Sequence, residues 1–265
     1  MALPPPAPIA AAAAPPPAWR ADPRLPWAVL ALSLLLTLVA TLAGLREAQQ
    51  RRHARFEAAA QAVVDRLEVR LQGHVALLQG VAGLFSGSDD VTREEFRAYL
   101  EQLQVAQRFP GVQGVGYSPR VLPGEEVAVV ARALAEGLQG FHLWPEPGPA
   151  DAGRPRFTIL FLEPLDARNR AALGYDMSTE PVRAAAMARA RDTGQPALSG
   201  KVELKQEIGP QKQPGFLLYL PLYERGPRLA QGQRARLEGY VYAPFRAGNF
   251  FGHLQGDLGP SPVGF

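Results

Sequence analysis

A carboxylate at the end of a predicted strand is the first residue whose type and position could do chemistry. Glu163 closes an apolar segment directly before Pro164. There it could accept hydrogen bonds from the amines or hydroxyls of a ligand. The same carboxylate could instead pair with Arg156 or Arg168, or simply face water. Both interpretations stay open from the residues alone.

Two further candidates flank a predicted helix. Asp176 follows Gly174 and Tyr175 and lies next to the helix start, where a short acidic side chain typically caps a helix or forms a turn. Contact with a ligand is the alternative role. Thr193 and Gly194 end the helix, and Thr193 could also line a pocket.

A glycine-rich strand supplies a third candidate surface within the sequence FPGVQGVGYSPRV (109–121). Its alternation places Val115, Tyr117 and Val121 on one face, and Gly114 and Gly116 on the other. Glycine inside a strand is tolerated where another backbone or a ligand comes close. The pattern therefore predicts that a ligand or a helix lies against the two glycines.

The usual catalytic and metal-binding patterns are missing. The chain has no cysteine, which excludes disulfides and thiolate chemistry. Its four histidines are scattered, and neither a phosphate-binding loop nor a dinucleotide-binding glycine motif is present. The net charge of +3 is spread thinly, which disfavours nucleic-acid binding. We expect no catalytic residue, no cofactor and no metal.

The elements that position these candidates begin with an apolar segment. Residues 1–26 are rich in alanine and proline and predict a disordered tail. Trp27 to Leu45 carries no charge, and as a helix it would be about 28 Å long, enough to cross a bilayer. We interpret it as a retained signal anchor. Two arginines precede it and four follow closely, so the charges do not settle its orientation.

A long helix is predicted from Arg46 to Gly80, because apolar residues recur there at intervals of three or four. The stripe contains Phe56, Ala60, Val63, Leu67, Leu71, Val75 and Leu78. Such a stalk helix suits homodimerisation or signalling. It could also pack only on its own domain.

Shorter helices and mostly antiparallel strands follow, which places the chain in the α+β class. A capping box at Thr92 and Glu95 starts a helix that ends near Arg108. A second helix is predicted over 125–136, and a third, with a hydroxyl cap before Pro181, over 178–192. The strands are predicted over 156–164, 201–207, 216–222 and 239–243, with a polar loop over 225–236.

Several ordered blocks of this sequence resemble the CHASE domain, the sensor of cytokinin-receptor-like histidine kinases and diguanylate cyclases. The glycine-rich strand is similar to the family signature. The blocks LGYD (173–176), ARDTG (190–194), GFLLYLPLY (215–223) and GYVYAPF (239–245) follow in the family's order. The resemblance covers about residue 46 to the C-terminus.

The resemblance implies a stalk helix followed by PAS-like sheet subdomains, the second incomplete, with a ligand held on the sheet. It implies a sensor domain over 81–250, outside the cytoplasmic (inner) membrane in the periplasm or extracellular space, and a truncated continuation over 251–265. Glu163 is the nearest acidic counterpart of the family's pocket aspartate. The predicted ligand-binding residues are Gly114, Gly116, Phe161, Glu163, Asp176, Thr193, Phe216 and Leu218.

The sequence is therefore interpreted as the ligand-sensing input module of a membrane receptor in a signalling system such as a two-component system. Family members continue into a kinase or cyclase, so we expect this chain to be an N-terminal fragment. The ligand is expected to be a small molecule or peptide. The alternative is a membrane-anchored structural or protein-interaction module that binds no small molecule.

Overall fold

The computed structural model of the chain describes residues 24–148, 153–224 and 236–256. Most of the predicted tail, most of the predicted polar loop over 225–236 and the later part of the predicted continuation over 251–265 lie outside the described residues. By its internal contacts the chain divides into two units, Met1–Ala62 and Val63–Phe265.

The first element is helix α1, Leu25–Gly87. It is long and apolar enough to cross a membrane, with a mean hydropathy of 2.4 in its most apolar 18-residue window. The helix continues past Gly80, where the sequence pattern was interpreted as its end. Leu77, Leu78 and Val81 are buried there, and tertiary packing of this kind outweighs the low helix propensity of glycine.

Two short helices follow α1 where one was predicted. The capping box is confirmed, because the Thr92 hydroxyl accepts a hydrogen bond from the Glu95 amide and the Glu95 carboxylate accepts one from the Thr92 amide. Helix α2 spans Arg93–Gln102 and α3 spans Val105–Arg108. Gln104, with a left-handed φ of 53°, separates them.

A seven-stranded sheet forms the body of the second unit, and all its pairings are antiparallel. Its strands are β1 Val115–Val121, β2 Arg156–Phe157, β3 Phe161–Glu163, β4 Ala197–Leu198, β5 Val202–Glu203, β6 Pro214–Tyr223 and β7 Leu237–Arg246. The order is β2-β1-β7-β6-β4, while β3 also pairs with β1 and β5 with β6. A long apolar helix followed by an antiparallel sheet confirms the α+β class, and the PAS-like subdomains stay a prediction.

The single strand predicted over 156–164 is wrong, since β2 and β3 are separate. Between them the Ile159 amide donates to the Tyr175 carbonyl oxygen, and the Ile159 carbonyl oxygen accepts from the Gly174 amide. The backbone at Ile159 therefore bonds to the loop at 174–175, and the Leu160 amide returns to β1 by donating to the Tyr117 carbonyl oxygen.

The half-exposed strand predicted over 201–207 is also wrong beyond its first residues. Glu207 is buried and accepts two hydrogen bonds from Arg246, at 2.6 and 3.1 Å. The strand ends at Glu203, and a turn follows in which the Glu207 amide donates to the Leu204 carbonyl oxygen.

The sheet has two faces that are covered differently. The face that we call the α1 face carries Val115, Phe161, Leu218, Val241 and Phe245, in one apolar cluster with the buried end of α1 and with α2. Helix α4 (Glu126–Ala135, close to its predicted bounds) and helix α7 (Ala247–Gly256) also contribute to this cluster.

The opposite face, which we call the α6 face, carries Leu162, Leu217, Tyr219, Tyr240 and Tyr242. Helix α6, Pro181–Thr193, covers it, and the short helix α5, Ala167–Arg170, lies in the preceding connection. The N-cap of α6 is Glu180 instead of the predicted hydroxyl, because its carboxylate accepts from the Val182 and Arg183 amides. Gly194, with φ of 69°, ends α6 as predicted.

Candidate ligand site

The residues predicted to bind a ligand do not come together at one place. Phe161 and Leu218 are buried in the apolar cluster on the α1 face, and Phe216 is half-buried beside it, stacked on Phe245 at 4.9 Å. Thr193 is exposed at the end of α6, where its hydroxyl donates to the Arg189 carbonyl oxygen. The structure gives these four residues roles in packing and in ending a helix.

Atoms of the protein itself lie close against Gly114 and Gly116. A Cβ atom at Gly116 would lie 2.5 Å from ring atoms of Tyr242 on β7. A Cβ atom at Gly114 would lie 2.7 Å from the Glu163 carbonyl oxygen and 2.9 Å from the Asn169 side-chain nitrogen. The close neighbours are thus a tyrosine ring and a backbone, which explains both glycines. A ligand role for them stays a prediction.

Glu163 pairs with neither of the arginines that the sequence suggested. It is 5% exposed, its Oε1 lies 3.2 Å from Arg93 Nη2, and its Oε2 accepts a hydrogen bond from the Leu165 amide at 2.8 Å. Arg93 is the first residue of α2, so the carboxylate connects β3 to that helix. Arg156 and Arg168 pair instead with Asp176 and Glu207.

Asp176 is a capping residue, as its position indicated, and it also borders a cleft. Its Oδ1 accepts hydrogen bonds from the amides of Phe157 and Ser178 and from the Ser178 hydroxyl, at 3.1, 3.0 and 2.7 Å. Its Oδ2 lies 3.4 Å from Arg156 Nε, and both side chains are under 10% exposed. The Arg156 Nη2 also donates to the Pro145 carbonyl oxygen at 2.7 Å. These contacts hold the ion pair in a fixed orientation.

The cleft has a volume of about 470 Å³ and lies along α6 on the α6 face. Such a volume is within the range of small-molecule sites. Its polar lining residues are Glu126, Arg154, Arg156, Asp176, Ser178, Thr179, Arg191 and Tyr240. Its apolar lining includes Phe157, Ala184, Met187 and Ala188.

Polar groups continue from this cleft into the interior of the α6 face. The Tyr240 hydroxyl donates to the Met187 carbonyl oxygen at 2.9 Å, and the Tyr219 hydroxyl lies 3.5 Å from the Met177 sulfur. The hydroxyl of Tyr242 is buried and has no hydrogen-bond partner among the described residues. Burial raises the pKa of all three tyrosines above the usual range, so they are neutral at physiological pH.

Arg183 is the functional candidate that sequence reasoning missed. It is 1% exposed, donates from Nη2 to the Glu203 carbonyl oxygen at 2.9 Å and lies over the Tyr175 ring at 5.3 Å. A signal was available in the sequence. Arg183 precedes the buried Ala186, Met187 and Ala190 by three, four and seven positions, the spacing of one helix face.

On the α1 face a second buried polar group, besides Glu163, is His74 in α1. It is 2% exposed, and its ring lies 4.9 Å from Phe245, 5.7 Å from Phe109 and 5.9 Å from Phe250. Burial lowers its pKa, against a smaller opposing effect from the hydrogen-bond contact of Nδ1 with the Arg70 carbonyl oxygen. The four histidines are scattered along the sequence, and no metal site was predicted from them. Among the described residues no cluster of three or more His, Asp or Glu side chains could hold a metal ion.

Comparison with models of known protein families identifies the family of this chain. The model of the CHASE domain family matches residues 89–262, which is more than half of the chain. A search of the curated proteins found no relative. The matched region includes the whole sheet, both of its faces and the cleft.

Proposed function

The chain belongs to the CHASE domain family, and from this premise we propose that it is the ligand-sensing input module of a membrane-bound signalling receptor. The CHASE domain is a sensor module of receptors such as histidine kinases, and it is not catalytic. The proposal adds that this chain binds a small molecule or a peptide. It also adds that binding shifts a conformational equilibrium that an output domain, a kinase or a cyclase, reads.

The cleft on the α6 face is the observation that carries the ligand proposal. It combines a buried ion pair, Arg156–Asp176, with hydroxyls from Ser178 and Thr179 and an apolar wall that includes Met187. A few oriented polar groups on an apolar surface are typical of small-molecule sites. Asp176 is the predicted residue that borders this cleft, and we assign it a direct role in the site.

A role for Asp176 does not require it to leave its present partners. Its Oδ1 is held by two amides and one hydroxyl, so only Oδ2 and Arg156 can exchange contacts with a ligand. A ligand that carries both a hydrogen-bond donor and an acceptor would match this pair. That requirement fits polar organic molecules such as amino acids, short peptides or nitrogen heterocycles.

Membrane anchorage is proposed from α1, whose residues 27–45 have the length and composition of a span. The CHASE domain is an extracellular sensor domain, so we place the sheet on the outer side of the cytoplasmic (inner) membrane, in the periplasm or the extracellular space. Residues 1–26 would then lie in the cytoplasm.

A homodimer through α1 is proposed for the segment after the span. Two large apolar side chains there, Phe56 at 66% and Val64 at 49% exposed in the single chain, lie eight positions apart and therefore on one side of the helix. Side chains of this size lose contact with water when two such helices pair. Pairing would give each receptor two sensor domains.

Thermal unfolding of the full chain in lipid nanodiscs tests the ligand proposal. Adenine derivatives, amino acids and short peptides are added one at a time, and a ligand of the folded state raises the melting temperature. At a hundredfold excess over its dissociation constant, the stabilisation is about 2.7 kcal/mol. A complete panel without any shift, on folded protein, would favour the structural or protein-interaction module instead.

A matched pair of substitutions locates the site. Ala188→Trp places a large ring in the cleft, and Ala185→Trp places the same ring on the exposed side of the same helix. The first should abolish the ligand-induced shift, while the second should leave it unchanged. Equal shifts in both variants would show that the ligand binds elsewhere.

A further inference from the structure

Four arginines follow the apolar span within α1, and their side chains have few protein partners. They are Arg46, Arg51, Arg52 and Arg55, and all four are exposed. Arg51 pairs with Glu47, and the other nearby acid, Glu57, lies 3.2 Å from His53. For Arg46, Arg52 and Arg55 the described part of the chain offers neither a hydrogen bond nor an ion pair. The local acids therefore do not neutralise these three charges.

Arg46 lies at the height of the lipid headgroups, and Arg52 and Arg55 lie above it. With a rise of 1.5 Å per residue, Arg46 lies about 1.5 Å beyond Leu45, Arg52 about 10 Å and Arg55 about 15 Å. The headgroup layer is about 5–7 Å thick on each side of the hydrocarbon core. Because an arginine side chain is long and can extend back along the helix, the upper two can also reach this layer.

The number of basic residues on this side also needs a physical reason. Lys and Arg close to a span are normally concentrated on the cytoplasmic side. With the sensor domain outside, these arginines lie on the opposite side, so the topology rule does not account for them. Phosphate groups do, because the guanidinium fork binds phosphate oxygens in pairs.

We propose that Arg46, Arg52 and Arg55 bind the phosphates of anionic lipids in the outer leaflet, and so fix the depth of α1 in the membrane. This interaction rests on the membrane anchorage proposed above and adds its partner, an anionic lipid headgroup. Each arginine near an anionic surface contributes enough binding free energy for about a fivefold preference for an anionic over a neutral lipid. A sensor whose signal passes along α1 would gain a fixed reference height from these contacts.

The test uses the full chain in vesicles of mixed phosphatidylglycerol and phosphatidylcholine. Each lipid is spin-labelled in turn, and the fraction immobilised at the protein surface is measured by electron paramagnetic resonance. We expect phosphatidylglycerol to be preferred by about fivefold at low salt, since one arginine contact supplies about that factor. High salt should reduce the preference. Added inorganic phosphate at constant ionic strength should not, which distinguishes lipid headgroups from a site for free phosphate.

The decisive variant is R46Q/R52Q/R55Q, and it should remove the preference. The matched control, R97Q/R170Q/K201Q, removes three exposed basic side chains from the sensor domain and should retain it. A wild-type chain that inserts into pure phosphatidylcholine vesicles but shows no lipid preference overturns this inference and leaves the anchorage intact. A chain that inserts into no vesicle overturns both.

Discussion

The two faces of the sheet are built from different chemistry. On the α1 face the sheet presents valine, leucine and phenylalanine, and the buried end of α1 closes over them. On the α6 face it presents Tyr219, Tyr240 and Tyr242, and α6 adds the buried Arg183. One face is a mainly apolar interface in which His74 and the Glu163–Arg93 pair are buried polar groups, and the other combines packing with more polar groups.

This difference indicates which face can exchange contacts with a ligand. An apolar interface offers a ligand no orienting groups, and opening it exposes a large apolar area to water. The α6 face already borders a cleft at Asp176, and its polar atoms could replace one partner by another at small cost. We therefore assign stability and coupling to the α1 face, and recognition to the α6 face.

The largest effect is expected from a truncation on the α1 face. Phe245→Ala removes a ring that is fully buried between Phe216, Phe250 and His74, and the cost should be about 3–5 kcal/mol. Urea unfolding followed by circular dichroism measures it. The half-buried neighbour provides the control, since Phe216→Ala should cost clearly less. Equal losses in the two variants would contradict the view of Phe245 as the centre of this interface.

A smaller loss is expected on the α6 face, together with a loss of binding. Asp176→Asn weakens three hydrogen bonds and the buried pair with Arg156, so it should cost about 2–3 kcal/mol and abolish any ligand-induced shift. Asp192→Asn changes an exposed acid near the end of α6 and should be almost silent. If Asp176→Asn unfolds more easily but keeps the full ligand-induced rise in melting temperature, Asp176 does not contribute to ligand binding.

Elements with local signals could be predicted from the sequence. The Thr92 capping box, the stop at Gly194 and the long apolar strands β6 and β7 all follow from neighbouring residues. The sequence also predicted that some group lies close to Gly116, although it did not identify that group. The group is the ring of Tyr242, which lies more than a hundred positions away in the sequence and pairs with Gly116 in the register of β1 with β7.

The errors involve contacts between distant residues. The break between β2 and β3 coincides with hydrogen bonds to Tyr175 and Gly174, and Glu207, which was expected on a half-exposed strand, is buried against Arg246 across 39 positions. The cleft itself is formed by loops and α6 together. Periodicity assigns a residue to a face of its own element, but it does not identify what that face meets.

The third prediction uses pH to separate the two faces. Because burial lowers the pKa of His74, the folded protein resists its protonation while the unfolded chain, with a usual value near 6.5, accepts the proton. Stability from this residue is therefore present above that value and is lost as the pH falls below it. The positive charge of Arg70, which does not titrate in this range, also lowers the pKa of His74.

Unfolding of wild type and His74→Phe between pH 7.5 and about 5 measures this contribution. The wild type should lose more stability than the variant as the pH falls, by less than the cost of either truncation above. His142→Gln, at an exposed histidine, should follow the wild-type curve. Parallel curves for wild type and His74→Phe would show that His74 is not held neutral.

The smallest effect distinguishes two tyrosines within the α6 face. Tyr240→Phe removes a hydroxyl that donates to the Met187 carbonyl oxygen at 2.9 Å and should cost about 1 kcal/mol. Tyr242→Phe removes a buried hydroxyl that has no hydrogen-bond partner in the described ranges, so it should be neutral or stabilise by about 0.5 kcal/mol. Thermal unfolding of both variants measures the difference.

A loss of stability in Tyr242→Phe equal to that in Tyr240→Phe would mean that the Tyr242 hydroxyl forms a hydrogen bond in solution, because removal of a hydroxyl lowers stability when a hydrogen bond is lost with it. The interior of the α6 face would then contain water, and the two faces of the sheet would differ in hydration as well as in packing.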